Sequence, residues 1–276
     1  MNEDCPYQTL FIYEIKGIVK SSYEVFQKDF IGSWEEDESF TFLFFSSKQI
    51  RLVKDVIEIQ NLLLLYEHIM PYADWESGDK IRPMRAGRYF IKPKWQNCAT
   101  PKNSISLIMD PGVAFGSGYH PTTRDCLEFM SIAFKPGAFP DHVLDLGAGT
   151  AVLALAAAAS GAKSVLAVEK NNLSARTALQ NIKLNDLQGV IRLEQSDATQ
   201  FVDKEWELVL ANLTWSILKT LTNSKAFTCS KQLIVSGLKY FESEHMLLAM
   251  KKNGYELLNH KENDDWCTFH FRRDEV

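Results

Sequence analysis

Long apolar runs, a surplus of positive charge, paired cysteines and internal repeats are all missing from this sequence, and each absence removes a class of function. The longest uninterrupted apolar run, AVLALAAAA at 151–159, is far shorter than the roughly 20 residues a membrane helix needs. No membrane association is expected. The formal net charge of −5 argues against steering of the whole chain toward nucleic acid, because phosphate binding calls for a net basic face. Cysteine is scarce and odd in number: Cys5, Cys98, Cys126, Cys229 and Cys267 are scattered, with no two spaced as a metal-ligand pair. Isolated thiols of this kind suit a reducing compartment, and no metal site is expected. The opening residues, MNEDCPYQTL, carry acids where a secretory signal would carry bases. A cytoplasmic protein is the expectation. What remains is ample for packing: 276 residues, 46% apolar and 12% aromatic, enough for one large or two modest domains.

The texture of the chain changes along its length. Residues 1–70 read as a small α+β domain: a strand (YQTLFIYEI), a helix (SSYEVFQKDFIGSW), a strand (ESFTFLFFSS) and a mixed run (IRLVKDVIEIQNLLLLYEHIM) whose type the pattern leaves undecided. Residues 71–104 are rich in Pro, Lys and Arg and read as a connecting segment. Its cations, Lys80, Arg82, Arg85, Arg88, Lys92 and Lys94, form a local basic excess with two readings: a solvated connector, or a docking surface for a protein substrate or for RNA. From 105 to 276, β-rich runs alternate with helix-length runs. HVLDLG, SVLAVE, VIRLEQ, ELVLAN and QLIVSG read as strands, with helices beginning near Thr150, Asn171, Thr214 and Phe241. Such alternation predicts an α/β fold with a mostly parallel, Rossmann-like sheet covered on both faces, whose ligands bind at the carboxyl ends of the strands. The last two runs, YELLNHKE and WCTFHFRR, lack an intervening helix and predict an antiparallel pair at the edge.

The junction VLDLGAGTAVLALAAAA holds the strongest local signal. Gly147 and Gly149 let the backbone approach a ligand closely, while a helix N-terminus faces it. Glu169, at the end of the next strand, stands where an acidic side chain accepts from two ribose hydroxyls. That spacing fits either a dinucleotide or S-adenosylmethionine. Val152 occupies the place of the third small residue in the dinucleotide fingerprint, and Asp145 would repel a pyrophosphate yet attract the ammonium of a methionine tail. S-adenosylmethionine is the better match, although Asp145 can also serve local backbone amides. Asp197 is placed either to accept from an adenine amino group or to cap a helix. Asn212 closes the fourth strand beside the reacting methyl, where its oxygen can hold an amine nucleophile; a turn asparagine is the simpler reading. Trp215 is a candidate wall for the substrate amine, or a packing residue.

Upstream lies a glycine-rich loop, DPGVAFGSGYHPTT, ahead of an amphipathic run. Its glycines predict a lid that folds over the cofactor, with Phe115 and Gly116 in contact, Thr123 facing the ligand, and His120 either catalytic or bracing the loop. Thr122 and Asp125 have the spacing of a capping box. The loop also carries a resemblance: it is nearly the signature Asp-Pro-Gly-x-Ala-Phe-Gly-Thr-Gly-x-His-Pro-Thr-Thr of the PrmA methyltransferases. VLDLGAGT, VLAVE, ANL, VSGL and DDWC extend the likeness over most of 110–273. ADW at 73–75 and IKPKW ending at Trp95 resemble the family's joining segment.

The resemblance implies a class I, S-adenosylmethionine-dependent enzyme that methylates amino groups of large-subunit ribosomal protein eleven, with the N-terminal domain recognising that substrate. It puts Thr123, Gly147, Glu169 and Asn212 on cofactor contacts. The chain departs from the family pattern at Ser117, where Thr is usual, at Glu169, where Asp is usual, and at Ala151, where a third glycine is usual. The last adds a methyl expected near the cofactor's tail. Two other readings stay open: a methyltransferase of this fold acting on another protein or a small molecule, and a non-enzymatic, ribosome-associated binding module.

Overall fold

Apolar patterning decides where each strand lies. The computed structural model describes residues 5, 8–20, 23–26, 29–36, 39–75 and 81–273, so the basic position Lys80 lies outside the described residues. In the N-terminal part, β1 (Thr9–Lys16), α1 (Tyr23–Phe26), β2 (Phe30–Glu36), β3 (Phe40–Phe45), α2 (Ile50–Ile59) and β4 (Leu63–Pro71) build a sheet of order β2-β3-β1-β4. Every neighbouring pair in it is antiparallel. Tyr13, Ile15, Leu43 and Phe45 pack with Val53, Val56 and Ile57 of α2, whereas Leu10, Ile12 and Phe44 meet Tyr72, Val113 and Leu173. A sheet buried on both faces needs no polar alternation, and in FTFLFF the one polar residue, Thr41, is buried with its hydroxyl donating to the Gly17 carbonyl at 2.8 Å.

Two expectations change here. FIGSW, read as the end of a helix, belongs to strand β2, because its aromatic and β-branched residues pair along β3, with Gly32 opposite Phe44 and Trp34 opposite Phe42. The undecided run divides into α2 and β4 around Asn61, whose φ of 53° reverses the chain.

The connecting stretch carries structure of its own. α3 (Tyr72–Trp75) is followed by β5 (Met84–Ala86) and β6 (Tyr89–Pro93), which join β7 (Ile105–Met109) in a three-stranded sheet. Tyr89, Ile91, Leu107 and Met109 are buried in the main core. Most of the described cations have partners within the chain: the Arg88 guanidinium donates to the carbonyls of Ser131 and Phe134, Lys94 pairs with Asp110, Lys92 donates to the Cys98 carbonyl and Arg85 to the Gly87 carbonyl. These contacts brace the connector, while Arg82, Arg85 and Lys94 stay exposed at its surface.

The remaining elements are α4 (Pro121–Ala133), β8 (His142–Leu146), α5 (Val152–Ala159), β9 (Ser164–Glu169), α6 (Asn172–Leu184), β10 (Ile191–Gln195), β11 (Leu208–Asn212), α7 (Trp215–Leu221), α8 (Lys225–Thr228), β12 (Gln232–Lys239), α9 (Ser243–Lys252), β13 (Tyr255–Asn263) and β14 (Trp266–Arg273). Their strands form a seven-stranded sheet of order β10-β9-β8-β11-β12-β14-β13. Neighbours from β10 to β12 are parallel, and β14 runs antiparallel to both β12 and β13. This is the α/β fold, with an antiparallel edge, that the alternating runs predict. Helices α4, α5 and α6 bury one face of the sheet and α7, α8 and α9 the other. Helix α5, VLALAAAA, is apolar on all sides and buried along nearly its whole length, and its small side chains let it lie close to the strands. Chain order reverses at β8, with β9 on one side and β11 on the other, so a crevice opens at their carboxyl ends. Among the described residues no helix is long and apolar enough to cross a membrane.

Candidate active site

That crevice is a cleft of about 670 Å³, a volume suited to a nucleoside-sized ligand. Gly147 and Gly149 form its floor. With φ of +69°, a side chain on Gly147 would come within 2.3 Å of Leu213; with φ of +56°, one on Gly149 would meet the Phe115 carbonyl oxygen at 2.4 Å. Gly149 requires glycine sterically, because the atom met is backbone, whereas at Gly147 the left-handed φ favours glycine and the Leu213 side chain can move. Glu169 stands at the tip of β9 and lines the cleft. Its two oxygens accept from the N–H groups of Gly149 and Asn171, each at 2.8 Å. Each oxygen keeps another lone pair, so holding the glycine turn leaves capacity for a ligand's hydroxyls. Burial raises the Glu169 pKa against the opposing pull of the Asn171, Gly149 and Lys170 backbone N–H groups. Asp197 also lines the cleft while capping the short 3-10 helix Ala198–Phe201, accepting from the Thr199 N–H at 2.9 Å. The capping reading of Asp197 is met, and the Thr199 N–H is the main cause of its lowered pKa.

Asn212 ends β11, and its carboxamide nitrogen donates to the hydroxyls of Thr122 at 3.1 Å and Thr123 at 3.3 Å. With the nitrogen engaged on α4, the oxygen is the group left to accept from a ligand in the cleft. The network continues: His120 caps α4, its Nδ1 accepting from the Thr122 N–H at 3.4 Å and lying 2.8 Å from the Thr122 hydroxyl. Neutral His120 thus carries its proton on Nε2. Its pKa is lowered by burial first, then by Lys239 and Arg124. The ring sits between Phe115, at 5.2 Å, and Trp266, at 5.1 Å, and the Lys239 ammonium lies 3.8 Å from the Trp266 ring centre.

Several expectations are corrected by this geometry. Asp145 is 1% exposed and accepts from the Ala154 N–H at 3.0 Å, so it secures α5 from beneath the cleft instead of facing a ligand's ammonium. Burial raises its pKa to about 7, with the charge of Glu169 adding and the Ala154 N–H opposing. Thr123, expected to face the ligand, is buried and its hydroxyl meets the Asn212 carboxamide. Thr122 lies inside α4, not at its cap, and the buried Asp125 pairs with Lys261 at 2.7 Å, so no capping box forms. Gly116 does not line the cleft; its carbonyl accepts from the Thr150 hydroxyl at 2.6 Å. Trp215 starts α7 with its ring against His245, while Thr214, Ile217 and Thr220 present the helix's other side to the cleft. Ala151, whose methyl was expected near a cofactor tail, is wholly buried in the core at φ +67°.

The loop itself is fastened. The Phe115 carbonyl accepts from the Thr150 N–H at 3.0 Å, the Tyr72 hydroxyl donates to the Gly112 carbonyl, and the Trp75 indole N–H donates to the Val113 carbonyl at 3.2 Å. Phe115 is the one exposed residue of 111–118. The glycines serve close approach more than mobility.

Sequence reasoning gives no ligand-facing role to Trp266, Thr122 or Trp34, all of which line the cleft. The DDWC motif is the available signal for Trp266. Trp34 has none, since it comes from the other sheet.

A family model described as ribosomal protein L11 methyltransferase (PrmA) matches residues 34–274. Proteins named ribosomal protein L11 methyltransferase from Desulforamulus reducens and Listeria monocytogenes are 28% and 32% identical, over 71% and 67% of this chain and 64% and 59% of their own length. The matched region thus spans about three fifths of those relatives. A solved structure of ribosomal protein L11 methylase from Lactobacillus delbrueckii subsp. bulgaricus superposes with a TM-score of 0.62 at 27% identity, covering 70% of this chain and all of that one. Loop, glycine turn, strand tips and DDWC hairpin fall within the matched region, and the chain belongs to the PrmA family.

Proposed function

We propose that this chain uses S-adenosylmethionine to methylate amino groups of a large-subunit ribosomal protein, the substrate for which its relatives are named. The observation that carries the reading is Asn212: its nitrogen is tied to Thr122 and Thr123, and its oxygen is left for an amine. The cleft suits the cofactor. A left-handed glycine turn that brings backbone to the cleft, an acidic clamp at Glu169 and the Asp197 carboxylate fit a polar nucleoside. When bound, S-adenosylmethionine supplies an electrophilic methyl on a sulfonium.

The chain's part is then orientation and desolvation. Transfer is an in-line displacement, so alignment of the amine and exclusion of water account for most of what the protein must do. Asn212 accepts a hydrogen bond from the incoming amine and fixes its direction. A lysine must shed its proton first, and the Phe115 and Trp266 rings disfavour the charged form by excluding water. Although aromatic faces attract cations, Lys239 over Trp266 opposes a second positive charge. His120 is poorly suited to take the proton, because its Nδ1 serves the α4 cap; the proton leaves to solvent. Incubation with methyl-labelled S-adenosylmethionine and a ribosomal-protein extract tests the reading. One labelled band, at the mass of that ribosomal protein, is expected; label confined to small molecules or to other proteins would count against it.

A further inference from the structure

The main sheet and its loop supply the floor and one wall of the cleft, but another wall comes from the N-terminal sheet. Trp34 lies on β2, an edge strand, opposite Phe42 of β3. Directly opposed residues in an antiparallel pair share a face, and Phe42 and Phe44 belong to the face that packs on Val113 and Leu173. Trp34 therefore points to the side on which the N-terminal sheet meets the main domain. Its position along α6 is also defined. Ile31 sits beside Leu173 and Thr177, while Trp34 shares the cleft with Asn171 and Ser174 at the start of that helix. Strand β2 thus runs along α6 toward the tip of β9, where Glu169 stands.

We propose that Trp34 is a cofactor-binding residue contributed by the N-terminal domain, its indole closing the cleft on the Glu169 side. The inference rests on the reading of the cleft as a site for S-adenosylmethionine. On this reading the N-terminal domain completes the cofactor site. At 39% exposure, this indole presents apolar surface to the cleft that a bound nucleoside would cover. The domain is held in place for this by the shared apolar cluster and by the hydrogen bonds from Tyr72 and Trp75 to the glycine-rich loop. Aromatic walls beside nucleosides contribute through stacking and desolvation, and a phenyl ring retains much of that effect.

The test uses the full chain and S-adenosylhomocysteine as the probe. Calorimetry should give a Kd at least tenfold higher for Trp34→Ala than for wild type, with Trp34→Phe within about threefold of wild type. Hydroxyl-radical footprinting of the unaltered protein needs no variant: oxidation of Trp34 should fall at least threefold when the probe is added. Wild-type binding with equal affinity for Trp34→Ala, or unchanged Trp34 oxidation on binding, overturns the assignment while leaving the cofactor reading intact. Failure of the wild-type chain to bind the probe overturns both.

Discussion

At the scale of single residues, what each polar group does depends on which of its atoms is already engaged. Asn212 is held through its nitrogen, and the proposed contact with an amine falls to its oxygen. Asn212→Ala should therefore lower turnover far more than it weakens cofactor binding, the signature of an interaction made mainly with the reacting group. Equal losses in kcat and in cofactor affinity would move Asn212 to the cofactor's contacts. Asp145 shows the opposite case, a carboxylate with no route to the ligand. Its folded-state pKa is raised from 3.8 to about 7, so the native state holds a proton that the unfolded chain releases. The stability it contributes is full below about 3.8 and is lost as pH rises toward about 7. Asp145→Asn keeps an acceptor for the Ala154 N–H and cannot titrate. Denaturant melts should show the variant gaining on wild type across that window and a constant difference above it; a difference independent of pH would contradict the assignment. For Ala151→Gly, relief of a left-handed alanine is worth about 1–2 kcal/mol. Loss of a buried methyl costs about 0.8 kcal/mol, and the freer unfolded chain costs about 0.4–1 kcal/mol. The effects nearly cancel, so Tm should hardly move. Because the methyl faces the core, S-adenosylhomocysteine affinity should also stay within about twofold, and a clear gain in affinity would show that Ala151 does reach the ligand.

At the scale of elements, the glycine-rich loop joins the two parts of the molecule. Its backbone carbonyls accept from Thr150 on one side and from Tyr72 and Trp75 on the other. Tyr72→Phe leaves the buried Gly112 carbonyl without that donor, which should cost about 1–3 kcal/mol of stability. It should also speed proteolysis within 112–118, a stretch expected to resist cleavage in the wild type even without cofactor. Rapid wild-type cleavage that slows on adding cofactor would restore the lid that the glycines suggest when read without their partners. A glycine seen in sequence permits either flexibility or tight approach. Here the deciding information is what surrounds each one, such as the Phe115 carbonyl 2.4 Å from a Cβ on Gly149.

At the scale of the whole molecule, periodicity is enough for the large sheet, because strands such as SVLAVE and ELVLAN alternate cleanly with helical runs. Positions fixed by a turn's own chemistry, Gly147, Gly149 and Glu169, are legible for the same reason: strand, turn and helix are contiguous. What stays hidden depends on contacts between distant segments. Strand β2 is misread because FIGSW follows directly on a helical run and its partner β3 lies across a turn, and Trp34 enters the cleft only once two sheets pack together. Asp145 and Trp215 invite outward roles that burial and ring packing deny them.

Delivery of a methyl group from this one cleft to a protein amine can be tested in a single reaction. Wild-type chain, S-adenosylmethionine and the purified large-subunit ribosomal protein named for the family are mixed, and S-adenosylhomocysteine and the intact mass of the ribosomal protein are followed together. One S-adenosylhomocysteine is expected for every methyl group gained, on amino groups, with both signals falling together in Asn212→Ala. S-adenosylmethionine that binds in the cleft while the ribosomal protein gains no mass would contradict it.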